Sequence, residues 1–172
     1  MRPAWRFSSH DRHHLMNGNY FLALALGIGI VAGLRSLTPP AVVAWAAYLG
    51  WLNLAGSRLA FVGSIVTAVI FSVLALGELI GDKLPKTPAR TAIGPLLARI
   101  CTGAFCAICL GVAARGSLLL AGLLGGVGGV IGAFAGYEIR RRLVGQLHLK
   151  DFPVAICEDL IAIGLACFII SR

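Results

Sequence analysis

The sequence predicts an all-α, polytopic transmembrane helical bundle of five or six spanning segments, with a Pro-broken helix near residues 35–40. Three observations carry this. The chain is 58% apolar and only 13% charged, with a mean hydropathy of +0.88, whereas soluble domains run about 45–50% apolar and about 25% charged. Long apolar runs alternate with short basic or turn-forming segments. Glycine is abundant, at 22 residues, and membrane helices use it where backbones approach closely. Disorder is excluded by the same composition, because disordered chains are poor in apolar residues and rich in charge.

Residues 1–19 read as a basic tail carrying Arg2, Arg6, Arg12 and the histidines His10, His13 and His14. The remainder, 20–172, reads as a single transmembrane helical domain. A basic start before an apolar run also fits a signal peptide. The membrane pattern simply continues, however, which favours an uncleaved first helix.

The apolar runs follow in order. Tyr20 to Leu34 is the first, ending at Arg35-Ser36-Leu37-Thr38-Pro39-Pro40. Proline lacks the backbone donor, and the residue before it avoids helical geometry, so the chain breaks there. Thr38 suits a cap for a helix that starts at the prolines. The exposed amides could receive an anion with help from Arg35; the plainer alternative is a surface kink with Arg35 snorkelling outward. Ala41 to Leu54 is short. Leu59 to Ile80 and Ile93 to Ala114 approach the roughly 20 residues that cross the ~30 Å hydrocarbon layer, as do Leu118 to Tyr137 and Phe152 to Ile170.

Two topologies compete. With the amino terminus inside and Ala41 to Leu54 re-entrant, five crossings leave ten basic residues inside and four outside, with Arg35 at the outer face. If Ala41 to Leu54 crosses, six segments give eight against six, with Arg35 moved inside and the tail outside. Charge bias favours the first. The second permits two halves of three helices, the inverted-repeat plan of many transporters.

In the fifth run Gly125-x-x-x-Gly129, Gly128-x-x-x-Gly132 and Gly132-x-x-x-Gly136 lay small residues along one side. They predict a helix-packing seam, with pore lining as the alternative, and a homo-oligomer joined through this helix.

The ionisable residues supply the candidate site. Glu78 and Asp82 are four apart, on one helix face, with Lys83 and Lys86 following. Glu158 and Asp159 lie a few residues into the last run, and Arg99 six residues into the fourth. Topology puts all of these, with Glu138, within one or two turns of the inner boundary. Glu78, Asp82, Glu158 and Asp159 are therefore candidates for a proton or cation site, with Lys83 and Arg99 as counter-charges. Because neighbouring residues point about 100° apart on a helix, at most one of Glu158 and Asp159 faces any single centre. The competing reading is a structural salt-bridge cluster, with Arg99 paired to Glu158 or Glu78, since ionisable groups in membrane segments seek partners.

The leading function is thus a transporter or channel-like protein handling a proton, cation or small solute. The alternative is a non-transporting scaffold. No metal, cofactor or nucleic acid is expected. The five cysteines, Cys101, Cys106, Cys109, Cys157 and Cys167, all lie in apolar runs. Their odd number fits no disulfide framework, and Cys106-x-x-Cys109 reads as packing, because free cysteine behaves as a small hydrophobe. No G-x-S-x-G, H-E-x-x-H, P-loop or Rossmann pattern occurs, so no enzyme is expected.

Glu78-x-x-x-Asp82-Lys83-x-Pro85, the Lys86-Thr87-Pro88-Ala89-Arg90-Thr91 loop and the Glu158-Asp159 pair, together with Gly33 to Pro39, resemble a bacterial family of small multi-pass membrane proteins. It is the family called domain of unknown function 4126. The resemblance runs from about Gly27 onward, and Pro153 before the acid pair is in keeping with it. It implies a protein of the bacterial inner membrane embedded in the lipid bilayer, and draws attention to Glu78, Asp82, Lys83, Glu158 and Asp159 without assigning them a role.

Overall fold

A computed structural model describes residues 18–81, 92–145 and 151–172, with side chains from 20 and from 153 in the first and last of these. Among the described residues there are six α-helices: α1 (Gly18–Leu34), α2 (Thr38–Tyr48), α3 (Ile65–Gly81), α4 (Ile93–Ala114), α5 (Leu118–Gly145) and α6 (Asp151–Ile170), with a short 3-10 turn at Ala60–Gly63. The basic tail lies outside the described residues except for Gly18 and Asn19, which open α1.

Three helices are long and apolar enough to cross a membrane: α4, α5 and the stretch Pro153–Ile170 of α6. α1 and α3 are apolar but have 17 residues each, about 26 Å of rise. α2 has only 11. The spanning helices found by length and composition are thus fewer than the five or six expected. The Thr38-Pro39-Pro40 break truncates the chain's run at this point, and α2 stops at Tyr48 because Gly50 turns with a positive φ of 78°.

α1 forms the centre. It packs chiefly on α5 and α4, with α6 and α2 alongside, and it buries Phe21, Leu24, Ala25, Ile28, Val31 and Ala32. The glycines of α5 make that packing close. A Cβ added at Gly129 would lie 2.8 Å from the Arg99 carbonyl oxygen, and one at Gly132 3.0 Å from Gly33 Cα. One at Gly128 would lie 2.8 Å from the Ile30 nitrogen, and one at Gly125 2.6 Å from Ala107 Cβ. Gly29, Gly33 and Gly103 are the reciprocal partners on α1 and α4. The seam is therefore spent inside the chain. These glycines hold α1 and α4 against α5.

Every described junction alternates between two ends. α1, α3 and α5 arrive at one end, from which α2, α4 and α6 depart. At the opposite end Phe21 of α1 meets Gly116 and Gly111, and Gly27 faces Ile169. There α4 closes on Arg115 in the left-handed conformation (φ 54°), with the Gly116 amide donating to Gly111 O at 2.9 Å. α2 lies along α3, tied by the Trp45 Nε1 donation to Ser72 Oγ at 2.9 Å. This order overturns the five-crossing arrangement, which set Arg35 at the opposite face from Glu78. Ser36 is hydrogen-bonded to Glu78, so the two stand at the same end.

Outward faces remain apolar: Val66, Val69, Ile70 and Val73 of α3, Leu119 and Leu123 of α5, and Leu160 and Ile161 of α6 are all exposed. In a bilayer such faces meet lipid rather than water. Inserting a methyl into a backbone-to-backbone seam costs about 1–3 kcal/mol. Gly129→Ala is accordingly expected to lower the unfolding midpoint in detergent by an amount of that order. Gly164→Ala, where nothing lies within 4 Å of the added carbon, is expected to leave it unchanged.

Candidate functional site

A helix that stops inside an apolar bundle leaves its last carbonyls and the next helix's first amides without partners. The break between α1 and α2 is of this kind, and charged side chains from other helices answer it. Glu78, on the last turn of α3, accepts from the Ser36 amide at 2.8 Å and from Ser36 Oγ at 2.7 Å through Oε1. Its Oε2 accepts from the Leu37 amide at 2.8 Å. A carboxylate at the amino end of a helix is also favoured by the helix dipole. The cap of α2 is thus supplied from 41 residues away. Thr38 makes no side-chain cap bond, Leu37 being the N-cap residue with proline in the first turn, so the local capping expectation is corrected. An acid on α3 fills the place first.

Arg99, on the second turn of α4, does the converse. Its NH1 donates to the Leu34 carbonyl at 2.7 Å and to the Gly33 carbonyl, the end of α1. Its NH2 stands 4.0 Å from Glu78 Oε1. Of the two partners expected for Arg99, it is Glu78 that lies beside it.

Arg35 occupies the break itself and pairs with Asp159 of α6. Arg35 is 0% exposed, Arg99 3% and Asp159 8%. The snorkelling surface arginine is therefore corrected to a buried one. The bundle wraps the break because the prolines let α2 fold back beside α6 and α3. Among the described residues two cations and two anions converge here, Arg35 with Asp159 and Arg99 with Glu78.

The other acids are placed elsewhere. Glu158 points away from its neighbour Asp159, and its Oε2 lies 4.0 Å from NH1 of Arg140 on α5. It lines a cavity of about 490 Å³ between α5 and α6, with Gly136 in the same wall. Glu138 is half-exposed and bound by Arg141 and Arg142, the latter at 2.7 Å, outside the buried centre. Asp82 and Lys83 lie outside the described residues. Cys106 and Cys109 are buried free thiols, and no group of metal-binding side chains occurs among the described residues.

Arg35 and Ser36 were not among the candidates for the acidic centre, Arg35 having been read only as an aid to anion binding at the break or as a surface residue. Their signal was an arginine four residues before a double proline between two apolar runs, which marks a charge held at a helix break. What the arrangement does chemically is fix backbone polar groups, by charge-assisted hydrogen bonds, where water is scarce. Removing one member of a buried pair costs about 3–5 kcal/mol because it strands the other charge. Arg35→Leu and Asp159→Leu are each expected to destabilise the detergent-solubilised protein by that order. The double variant is expected to be more stable than either single one in chemical or thermal unfolding, and additive losses would show that the pair is not coupled.

No curated protein and no solved structure matches the chain. Its sequence from residue 22 to residue 171 matches a family model, which takes in α2 to α6 with their charged centre and all but the first residues of α1. The chain belongs to the family described as Domain of unknown function (DUF4126).

Proposed function

We propose that this is a non-transporting, non-catalytic scaffold protein of the bacterial cytoplasmic membrane, whose buried charges lock a broken helix into a six-segment bundle. The observation that carries this reading is the use made of Glu78: both carboxylate oxygens hold backbone amides of the break, and Arg99 closes the adjacent carbonyls. Groups so engaged are positioned to hold structure.

Six segments follow if the short α2 and the stretch 49–64 after it traverse together, returning the chain to the start of α3. Arg35, Lys83, Lys86, Arg90, Arg140, Arg141, Arg142 and Lys150 then share one face, eight basic residues against six. The positive-inside rule makes that face cytoplasmic. Ser117→Cys is expected to react with a membrane-impermeant maleimide from outside the cell, and Gly145→Cys only after lysis.

A second reading, a transporter or channel moving a proton or cation through Glu78 and Asp159, draws support from one feature. Interrupted helices with ionisable groups at the break build the ion sites of many secondary transporters. Proteoliposomes discriminate. On the scaffold reading, wild-type protein gives no proton or cation flux above empty vesicles, and Glu78→Gln costs about 1–3 kcal/mol of stability through its orphaned amide. Flux abolished by Glu78→Gln and by Asp159→Asn, with both variants stably folded, would establish the transport reading instead.

A further inference from the structure

The tryptophans of the chain are Trp5, Trp45 and Trp51, and the last two stand in opposite situations. The indole N–H of Trp45 is satisfied by protein, donating to Ser72 Oγ at 2.9 Å. Trp51, just beyond α2, is 59% exposed, and among the described residues nothing accepts from its indole N–H. The Tyr48 hydroxyl is likewise without a protein partner among them. Such side chains pair an apolar ring with a polar atom that seeks a partner.

Both belong to the connection between α2 and α3. Tyr48, Leu49, Trp51 and Phe61 turn outward there, while Leu52, Leu54 and Val62 turn in and hold the segment on the bundle. The turn is built internally. The amides of Trp51 and Leu52 donate to Ala46 O at 2.8 and 3.1 Å, and that of Ser57 to Leu54 O at 3.2 Å. Arg58, exposed in the same segment, is the only charged residue between Arg35 and Glu78.

Helix rise fixes the level of this turn. Ile65, where α3 begins, stands about 20 Å from Glu78 along the helix. Tyr20 stands about 21 Å from the end of α1, Arg115 about 24 Å from Arg99, and Arg172 about 20 Å from Asp159. Four routes from the charged break thus arrive at one level, where Tyr20, Arg115 and Arg172 are also exposed. On the other side of the break, α4 begins about 9 Å before Arg99. The two levels are about 30 Å apart, the thickness of the hydrocarbon layer. Tryptophan and tyrosine collect at that boundary, and arginine reaches past it to the headgroups.

We propose that the 49–64 turn is an interfacial foot, seating Tyr48, Trp51 and Phe61 at the headgroup boundary of the leaflet away from the break and setting Arg58 against phospholipid phosphates. Charge complementarity selects this occupant, because a guanidinium meets a phosphate through paired donations. A second copy of the chain docked symmetrically on this patch would set Arg58 near Arg58. The tail 1–19 is itself basic, with three arginines against Asp11. α3 packs chiefly on α2, so the foot gives their hairpin a second fixed point, far from Glu78. The proposal rests on the bilayer placement of the helices alone. It holds whichever face is cytoplasmic, and whether the Glu78 centre is a lock or an ion site.

Depth-dependent quenching tests it. The full-length protein is reconstituted in phosphatidylcholine nanodiscs whose chains are brominated either near the carbonyl or near the chain end. With Trp51 as the only tryptophan (Trp5→Phe, Trp45→Phe), the expected result is several-fold stronger quenching by the shallow bromine. With Trp45 alone (Trp5→Phe, Trp51→Phe), the deep bromine is expected to quench more. Trp5→Phe by itself should show both components, so the result does not depend on the tolerance of Trp45→Phe. Arg58→Glu should weaken shallow quenching of Trp51 and raise its quenching by aqueous acrylamide, whereas Arg58→Lys should change neither. Stronger quenching of Trp51 by the deep bromine would overturn the foot by placing the turn in the hydrocarbon. Quenching by acrylamide and by neither bromine would overturn it by placing the turn in water. Quenching by none of the three would overturn it in favour of a second copy or the tail covering the patch. Identical behaviour of Arg58→Glu and Arg58→Lys would overturn the phosphate contact.

Discussion

The structure depends on how one interrupted backbone is satisfied. Where α1 stops and α2 starts, water is scarce and unbonded amides and carbonyls cost several kcal/mol each in a hydrocarbon setting. Glu78 and Arg99 remove that penalty from opposite sides, one taking the amides of Ser36 and Leu37, the other taking the carbonyls of Gly33 and Leu34. Once these two charges are buried they need each other, and Arg35 within the break needs Asp159. Four helices, α1, α3, α4 and α6, are consequently pinned at one end by groups that each had a local reason to be there.

Glycine makes the pinning geometrically possible. Arg99 reaches the end of α1 only because α1, α4 and α5 come together at backbone distance, and they do so over Gly29, Gly33, Gly103, Gly125, Gly128, Gly129 and Gly132. Larger side chains would separate the helices and lengthen the charge-assisted bonds. Steric and electrostatic requirements are therefore coupled: the seam on α5 sets the separation at which the charges on α3, α4 and α6 can meet. α5 contributes no charge to the buried centre, yet it positions the helices that do.

The acid pair on α6 shows how finely one helix can divide two environments. Asp159 turns inward to Arg35, and Glu158 turns into the α5–α6 crevice beside Arg140. A rotation of about 100° between neighbours suffices for this. One carboxylate serves the fold, while the other faces an apolar cavity open to the membrane. The chain thus separates an interior charge network from a second ion couple on α5 and α6 without a second domain.

Composition, run length and the double proline were enough to establish a helical membrane protein, the rupture after Leu34, and the presence of acids and Arg99 near one end, because hydropathy and backbone restriction are local properties of the sequence. The glycine spacing on α5 was equally legible as a small-residue face. Which helices it met was not, since a face carries no address; α1 and α4 lie on it. Pairings were likewise beyond local reading. Arg35 looked like a surface residue because its depth depends on α2 folding back, and Thr38 looked like a cap because the competing acceptor lies on α3. Only the tertiary structure decided that Glu78 caps α2, that Arg99 closes α1 and that Asp159 rather than Glu158 is buried. Long-range partners are chosen by how whole helices pack, and that choice is made by the sum of all their contacts.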